Sequence, residues 1–158
     1  MELNKEVAKH LREVHFGENW TDVNLKDALT GVTWEDANIK IYDLNTIASL
    51  VFHINYYVAA VLKVMQGEPL NASDQFSFDH SPIENEEDWQ RLIDKVLVEA
   101  DQLAVEIEKL DGDKFAEDFS DPKYGSYYRN LHGIIEHTHY HLGQISLLKK
   151  LINNKNSY

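Results

Sequence analysis

Four long stretches of the chain carry apolar residues three and four positions apart, with polar residues between them. This spacing puts the apolar side chains on one face of a helix and therefore predicts four amphipathic α-helices. The stretches cover approximately residues 4–15, 45–65, 84–107 and 131–151. We predict an all-α fold, a four-helix bundle, and a single domain spanning residues 1–158.

The segment after the first stretch predicts a short helical connector. Thr21 or Asp22 is the expected N-cap of one short helix, and Thr33 with Asp36 forms a capping box for another. Trp20 is expected to be buried, because a large apolar side chain gains most by leaving water. Asp43 or Asn45 is the expected cap of the second long helix, and Ser81-Pro82-Ile83-Glu84 has the residue types that start the third.

Residues 70–80 show neither the helical nor the strand spacing of apolar residues, and they mix polar with aromatic residues. This pattern predicts a loop folded over one end of the bundle. The connection that contains them is long enough for an antiparallel or a crossover path between the second and third helices. Both paths stay open at this point.

Charge and composition narrow the function. The formal net charge is −12, and no local basic patch offsets it, so nucleic acid and anionic membranes are not expected partners. There is no cysteine, which agrees with a cytoplasmic protein and excludes a cysteine nucleophile. The N-terminus lacks the pattern of a signal peptide. The apolar stretch 47–65 contains His53, Asn55 and Lys63, and is better explained as a buried helix than as a membrane span.

The candidate chemistry lies in the fourth helix, where His137, His139 and His141 fall within five residues. Helical spacing puts His137 and His141 on one face and turns His139 to the other flank. Two imidazoles four residues apart can bind one divalent metal ion. His53 lies on the edge of the second helix and would complete a three-histidine site if the two edges face each other. The alternatives are polar or packed histidines, with His53 lying beside Tyr56 and Tyr57.

Three neutral imidazoles leave coordination positions open on a divalent ion, which is the pattern of a catalytic metal site. Such an ion lowers the pKa of a bound water or thiol and so supplies a nucleophile near neutral pH. Gln144, three residues after His141, points to the same flank and is a candidate to orient a ligand or a metal-bound water. The alternative for Gln144 is a polar residue at a helix interface.

The segment from His137 to Ile145, HTHYHLGQI, resembles the C-terminal signature of the DinB-like superfamily, in which His-x-x-x-His precedes Gly-Gln-Ile. The segment 17–29, with Trp20 and Leu25, is similar to the one that follows that family's first helix. The resemblance implies a four-helix bundle with a divalent metal, often nickel, zinc or iron, bound by His53, His137 and His141. Family members frequently have Arg after the last histidine, whereas this chain has Leu142.

Characterised members of that family are thiol-dependent transferases or isomerases, so the resemblance implies a low-molecular-weight thiol as cosubstrate and a small electrophilic substrate. We therefore expect a metal-dependent thiol S-transferase or hydrolase. A non-catalytic metal- or ligand-binding bundle acting as a dimeric binding or stress-response protein is the alternative, and a bis-histidine haem protein is a more distant one. A homodimer is expected because Gly143 and the connector leave apolar surface uncovered.

Overall fold

The computed structural model of the protein describes residues 2–155. Within this range it contains six α-helices, three short 3₁₀ turns and no β-strand. The long helices are α1 (Leu3–Phe16), α4 (Ile47–Met65), α5 (Glu86–Glu108) and α6 (Tyr127–Lys155), and the connector holds α2 (Leu25–Leu29) and α3 (Trp34–Asn38). The all-α four-helix architecture with a short helical connector is confirmed.

The four long helices form a closed ring in which each packs against two neighbours, in the order α1, α5, α4, α6. Helices α1 and α5 are antiparallel, since the start of α1 lies beside the end of α5. Asn4 donates a hydrogen bond to the Glu108 carbonyl at 2.7 Å, and one turn before its end α1 pairs Arg12 with Asp101 at 2.8 Å. Each helix presents one apolar face to the ring's centre, where Leu11, Ile54, Leu103 and Ile145 are fully buried.

The connection between α4 and α5 takes the crossover path. It runs back alongside α4, because its residue numbers rise while the α4 residues that it contacts fall. The contacts are the Ser73 amide with the Tyr56 hydroxyl (2.9 Å), the Ser77 carbonyl with His53 Nδ1 (3.2 Å) and His80 Nε2 with Ser49 Oγ (3.1 Å). Helix α5 therefore begins at the end of the bundle where α4 began, and the two run parallel. The loop lies along the flank of α4, not over one end as we had predicted.

The connector after α1 packs on the bundle through polar as well as apolar contacts. Trp89 of α5 is completely buried, and its indole N–H donates to the Val32 carbonyl at 2.8 Å. The predicted burial of Trp20 is wrong, because its side chain is fully exposed. The preceding residue, Asn19, is buried instead and its amide donates to the carbonyls of Glu13 and Val23. This turn is held by the asparagine, which leaves Trp20 directed to solvent.

Three predicted helix starts are also wrong. The N-caps are Asn24 for α2, Thr46 for α4 and Asn85 for α5, each accepting a hydrogen bond from the backbone amide three residues later. Asp22 has a φ of 53°, in the left-handed region, and so cannot take the extended conformation of a cap. The hydroxyl of Thr21 is bonded to Asn19. The cap at Thr33 is confirmed, since it accepts from the Asp36 amide at 3.2 Å.

One helix, α4, is long and apolar enough to cross a membrane by length and composition. In the bundle, 67% of its most apolar window is buried against other helices. Burial of this extent is typical of a helix in a protein core, which agrees with the sequence-based interpretation of this stretch as a buried helix.

His15 gives the fold a testable pH dependence. It is completely buried, its Nδ1–H donates to the Leu11 carbonyl at 2.8 Å, and burial lowers its pKa to about 4. Its Nε2 has no hydrogen-bond partner within the described residues. His15 takes up a proton near pH 6.5 in the unfolded chain but only near pH 4 in the folded chain. The contribution of His15 to the free energy of unfolding is therefore fully present above about pH 6.5 and is lost as the pH falls toward about 4.

We expect this single group to account for about 3 kcal/mol of acid destabilisation. In His15→Leu that contribution is absent, and the free energy of unfolding should fall less steeply with pH. Urea unfolding of both proteins with a chelator present, at about pH 7 and about pH 4.5, measures the difference. An equal loss of stability in both proteins would show that His15 is not responsible.

Candidate functional site

Three histidines from two helices meet at the interface of α4 and α6. His53 comes from the middle of α4, and His137 and His141 lie one turn apart on α6. Their candidate ligand nitrogens all lie within 4.8 Å of one another, and His53 Nε2 is 3.1 Å from His137 Nε2. The edges of the two helices thus face each other as the three-histidine site requires.

Hydrogen bonds on the far side of two rings decide which nitrogen faces the site. The Nδ1 of His53 lies 3.2 Å from the Ser77 carbonyl, and that of His141 lies 2.7 Å from Gln144 Oε1. Because both partners are oxygen acceptors, each Nδ1 carries the proton and each Nε2 keeps its lone pair for the site. This arrangement is the usual one for histidines that bind a metal ion.

The crossover loop supplies further contacts that the sequence did not reveal. The Phe78 ring is stacked on His53, with ring centroids 3.9 Å apart and planes 6° apart. Tyr57, one turn further along α4, meets the imidazole edge-on. Ser77 is buried and Phe78 is partly exposed. Ser77 and Phe78 hold the His53 ring from the loop side, and their only sign in the sequence was the aromatic content of the segment 70–80.

The environment keeps His53 and His137 uncharged. Burial, followed by the nearby His141 and His53, lowers the pKa of His137 to about 4. The pKa of His53 is also lowered, first by burial and then by His141. Both imidazoles are therefore unprotonated near pH 7, which is the form that binds metal ions.

One pair of donors lies at the spacing that a shared divalent ion requires. Two nitrogens bound to the same ion at about 2.05 Å are about 2.9–3.4 Å apart, and the observed 3.1 Å falls in that range. The donor set is all imidazole nitrogen, which suits zinc, nickel or iron. The Nδ1 of His137 is buried without a hydrogen-bond partner among residues 2–155, so the orientation of this ring is set by its contacts inside the cluster.

A cavity of about 780 Å³ opens beside the cluster. His53 and His137 form part of its wall, while His141 lies behind them. Most of the remaining wall is apolar, and the hydroxyl of Tyr57 donates to the Asp74 carboxylate at its edge. The size is in the range of small-molecule sites, and a ligand in this cavity would contact two of the three imidazoles.

The other residues that the sequence pointed to lie outside the cavity. Gln144 contacts the back of His141 and is not part of the cavity wall. His139 lies on the opposite flank of α6, where burial and then His10 lower its pKa. His132 lies 3.4 Å from the Glu136 carboxylate on the outer surface. His80 lies 3.1 Å from Ser49 Oγ through Nε2 and 2.8 Å from the Ser81 carbonyl through Nδ1.

Comparison with known proteins adds one finding. A family model described as the DinB superfamily matches residues 17–145, which is most of the chain and includes all three clustered histidines. No curated protein and no solved structure gives a significant match.

Proposed function

The chain belongs to the DinB superfamily, and on this premise we propose that it is a divalent-metal-dependent enzyme acting on a small molecule. His53, His137 and His141 hold the ion, and a low-molecular-weight thiol, or water, is activated for transfer to a small electrophilic substrate. The observation that carries the proposal is the convergence of three imidazoles, two of which, His53 and His137, form part of the wall of an open cavity.

A bound divalent ion with neutral ligands would supply Lewis acidity, which lowers the pKa of a thiol or water beside it. The protein's own residues prepare for this in three ways. His53 is held by the Ser77 carbonyl and Phe78, and His141 is held by Gln144. The lowered pKa of His137 keeps its ring unprotonated at neutral pH. The apolar cavity wall reduces the water that competes with a substrate.

Activity measurements test the enzymatic part. Untagged protein loaded with Zn²⁺, Ni²⁺ or Fe²⁺ is assayed with glutathione, bacillithiol or mycothiol and the electrophile 1-chloro-2,4-dinitrobenzene, and separately with an activated ester. We expect turnover that needs the metal, is lost on chelation and is lost in His137→Ala. Metal-loaded protein that turns over none of these mixtures would leave the non-catalytic metal- or ligand-binding bundle as the better account.

Gln144 is proposed as a positioning residue that acts through His141. Gln144→Leu removes the acceptor of the His141 Nδ1 proton, and outer-shell losses of this kind weaken metal affinity by about 10–100-fold. Gln144→Glu keeps an oxygen acceptor and should retain the affinity. Competition with a chelating dye measures both variants. Equal affinity in Gln144→Leu and the wild type would show that Gln144 does not orient His141.

A cytoplasmic location and a homodimeric state remain predictions. The chain has no cysteine that an oxidising compartment would pair. On α6, Tyr140 and Leu147 are exposed one turn to either side of Gly143. Light scattering of the purified protein measures the oligomeric state.

A further inference from the structure

Arg129 differs from the other arginines of the chain. There are three, and two of them are paired with carboxylates on the surface: Arg12 with Asp101 and Glu108, and Arg91 with Glu87 and Asp88. The guanidinium of Arg129 makes no ion pair and no hydrogen bond within residues 2–155. Arg129 is exposed, so its guanidinium is accessible to a ligand.

Arg129 lies at the wall of the cavity beside the histidine cluster. It lies in the first turn of α6 and lines the same cavity as His53 and His137. Eight residues separate it from His137, which is about 12 Å along the helix axis. Gly125 packs against its stem, because a Cβ at that glycine would lie 2.9 Å from Arg129 Cδ. The glycine, at a φ of +77°, therefore makes room for the arginine at the cavity wall.

Arg129 is the one lysine or arginine among the described residues that line the cavity. Asp74, the one carboxylate among the described residues of the wall, accepts a hydrogen bond from the Tyr57 hydroxyl and does not pair with Arg129. Between the arginine and the histidines the wall is mostly apolar, with Ala60, Val61 and Ile134.

We propose that Arg129 binds the carboxylate of a small acid with an apolar body, whose other end reaches the histidine cluster. A guanidinium offers paired N–H donors that match a carboxylate, and the start of α6 adds the positive end of a helix dipole. The binding of the acid at Arg129 is independent of the proposed function. Only the further step, that this acid is the molecule that reacts, rests on the proposed function.

A matched pair of probes tests the binding. Metal-free protein is titrated with 3-phenylpropionate and with 3-phenylpropionamide, which has the same apolar body without the charge, and the arginine Nε–H signals are followed by NMR. Arg129→Lys identifies the Arg129 signal. We expect the acid to shift that signal and to bind about tenfold more tightly than the amide, and Arg129→Ala to abolish the preference.

Arg91→Ala is the control, since it removes a surface arginine outside the cavity, and it should keep the preference for the acid. The proposal is overturned if the wild type does not prefer the acid, or if Arg129→Ala keeps the preference. Because no metal is present, these outcomes are independent of whether the histidines bind an ion. If the protein prefers the acid but binds no metal, the proposed function is wrong and the proposal for Arg129 stands.

Discussion

His141→Ala is expected to lower the affinity for Zn²⁺ or Ni²⁺ by more than about 100-fold. The variant removes one of three nitrogens that lie within 4.8 Å of one another, and leaves His53 and His137 to hold the ion alone. Loss of an outer-shell partner already costs about 10–100-fold, so loss of a ligand should cost more. Competition with a chelating dye gives the affinity, and circular dichroism checks that the variant is folded.

His139→Ala is the matched control. It lies on the same helix, two residues before His141 and two after His137, but on the opposite flank. The control variant should bind metal as the wild type does. If His139→Ala and His141→Ala lose affinity equally, the effect is on helix α6 as a whole and the assignment of His141 is wrong.

Trp89→Ala is expected to lower the free energy of unfolding by about 3–5 kcal/mol. The indole is completely buried between α5 and the connector, and its N–H donates to the Val32 carbonyl. The truncation leaves a cavity and a buried carbonyl without its donor. Urea unfolding followed by circular dichroism measures the change.

Trp20→Ala provides the comparison at a fully exposed tryptophan. Its stability should stay within about 0.5 kcal/mol of the wild type. The pair of variants also tests the exposure of Trp20, which the sequence predicted to be buried. A large loss in Trp20→Ala would mean that its side chain is covered in the folded protein.

Periodicity predicted the histidine pair on α6, whereas the membership of His53 was implied by the resemblance to the DinB-like superfamily, because the pattern alone left a packed histidine as the alternative. His137 and His141 follow from one helix face, and the apolar pattern of α4 fixes the side on which His53 lies. The crossover path did not follow from the sequence, because a connection of this length fits either direction. Its course alongside α4 depends on contacts between Ser73, Ser77 and His80 and residues far away in sequence.

The loop-borne contacts of the site could not be predicted for the same reason. Ser77 offers only its backbone carbonyl to His53, and every residue type carries that group. Phe78 lies in a segment without a period, so its stacking on His53 has no pattern in the sequence. For Trp20 the prediction was wrong, because burial was inferred from residue type alone. The hydrogen bonds of Asn19 to the Glu13 and Val23 carbonyls fix the conformation of this turn instead.

The metal content of the protein tests the central claim most directly. Protein purified without a histidine tag is loaded with Zn²⁺ or Ni²⁺, desalted and analysed for metal and protein together. We predict about one ion per chain in the wild type and none in the variant with alanine at positions 53, 137 and 141. A wild type without metal, or a triple variant that keeps one ion per chain, would contradict the assignment of this site.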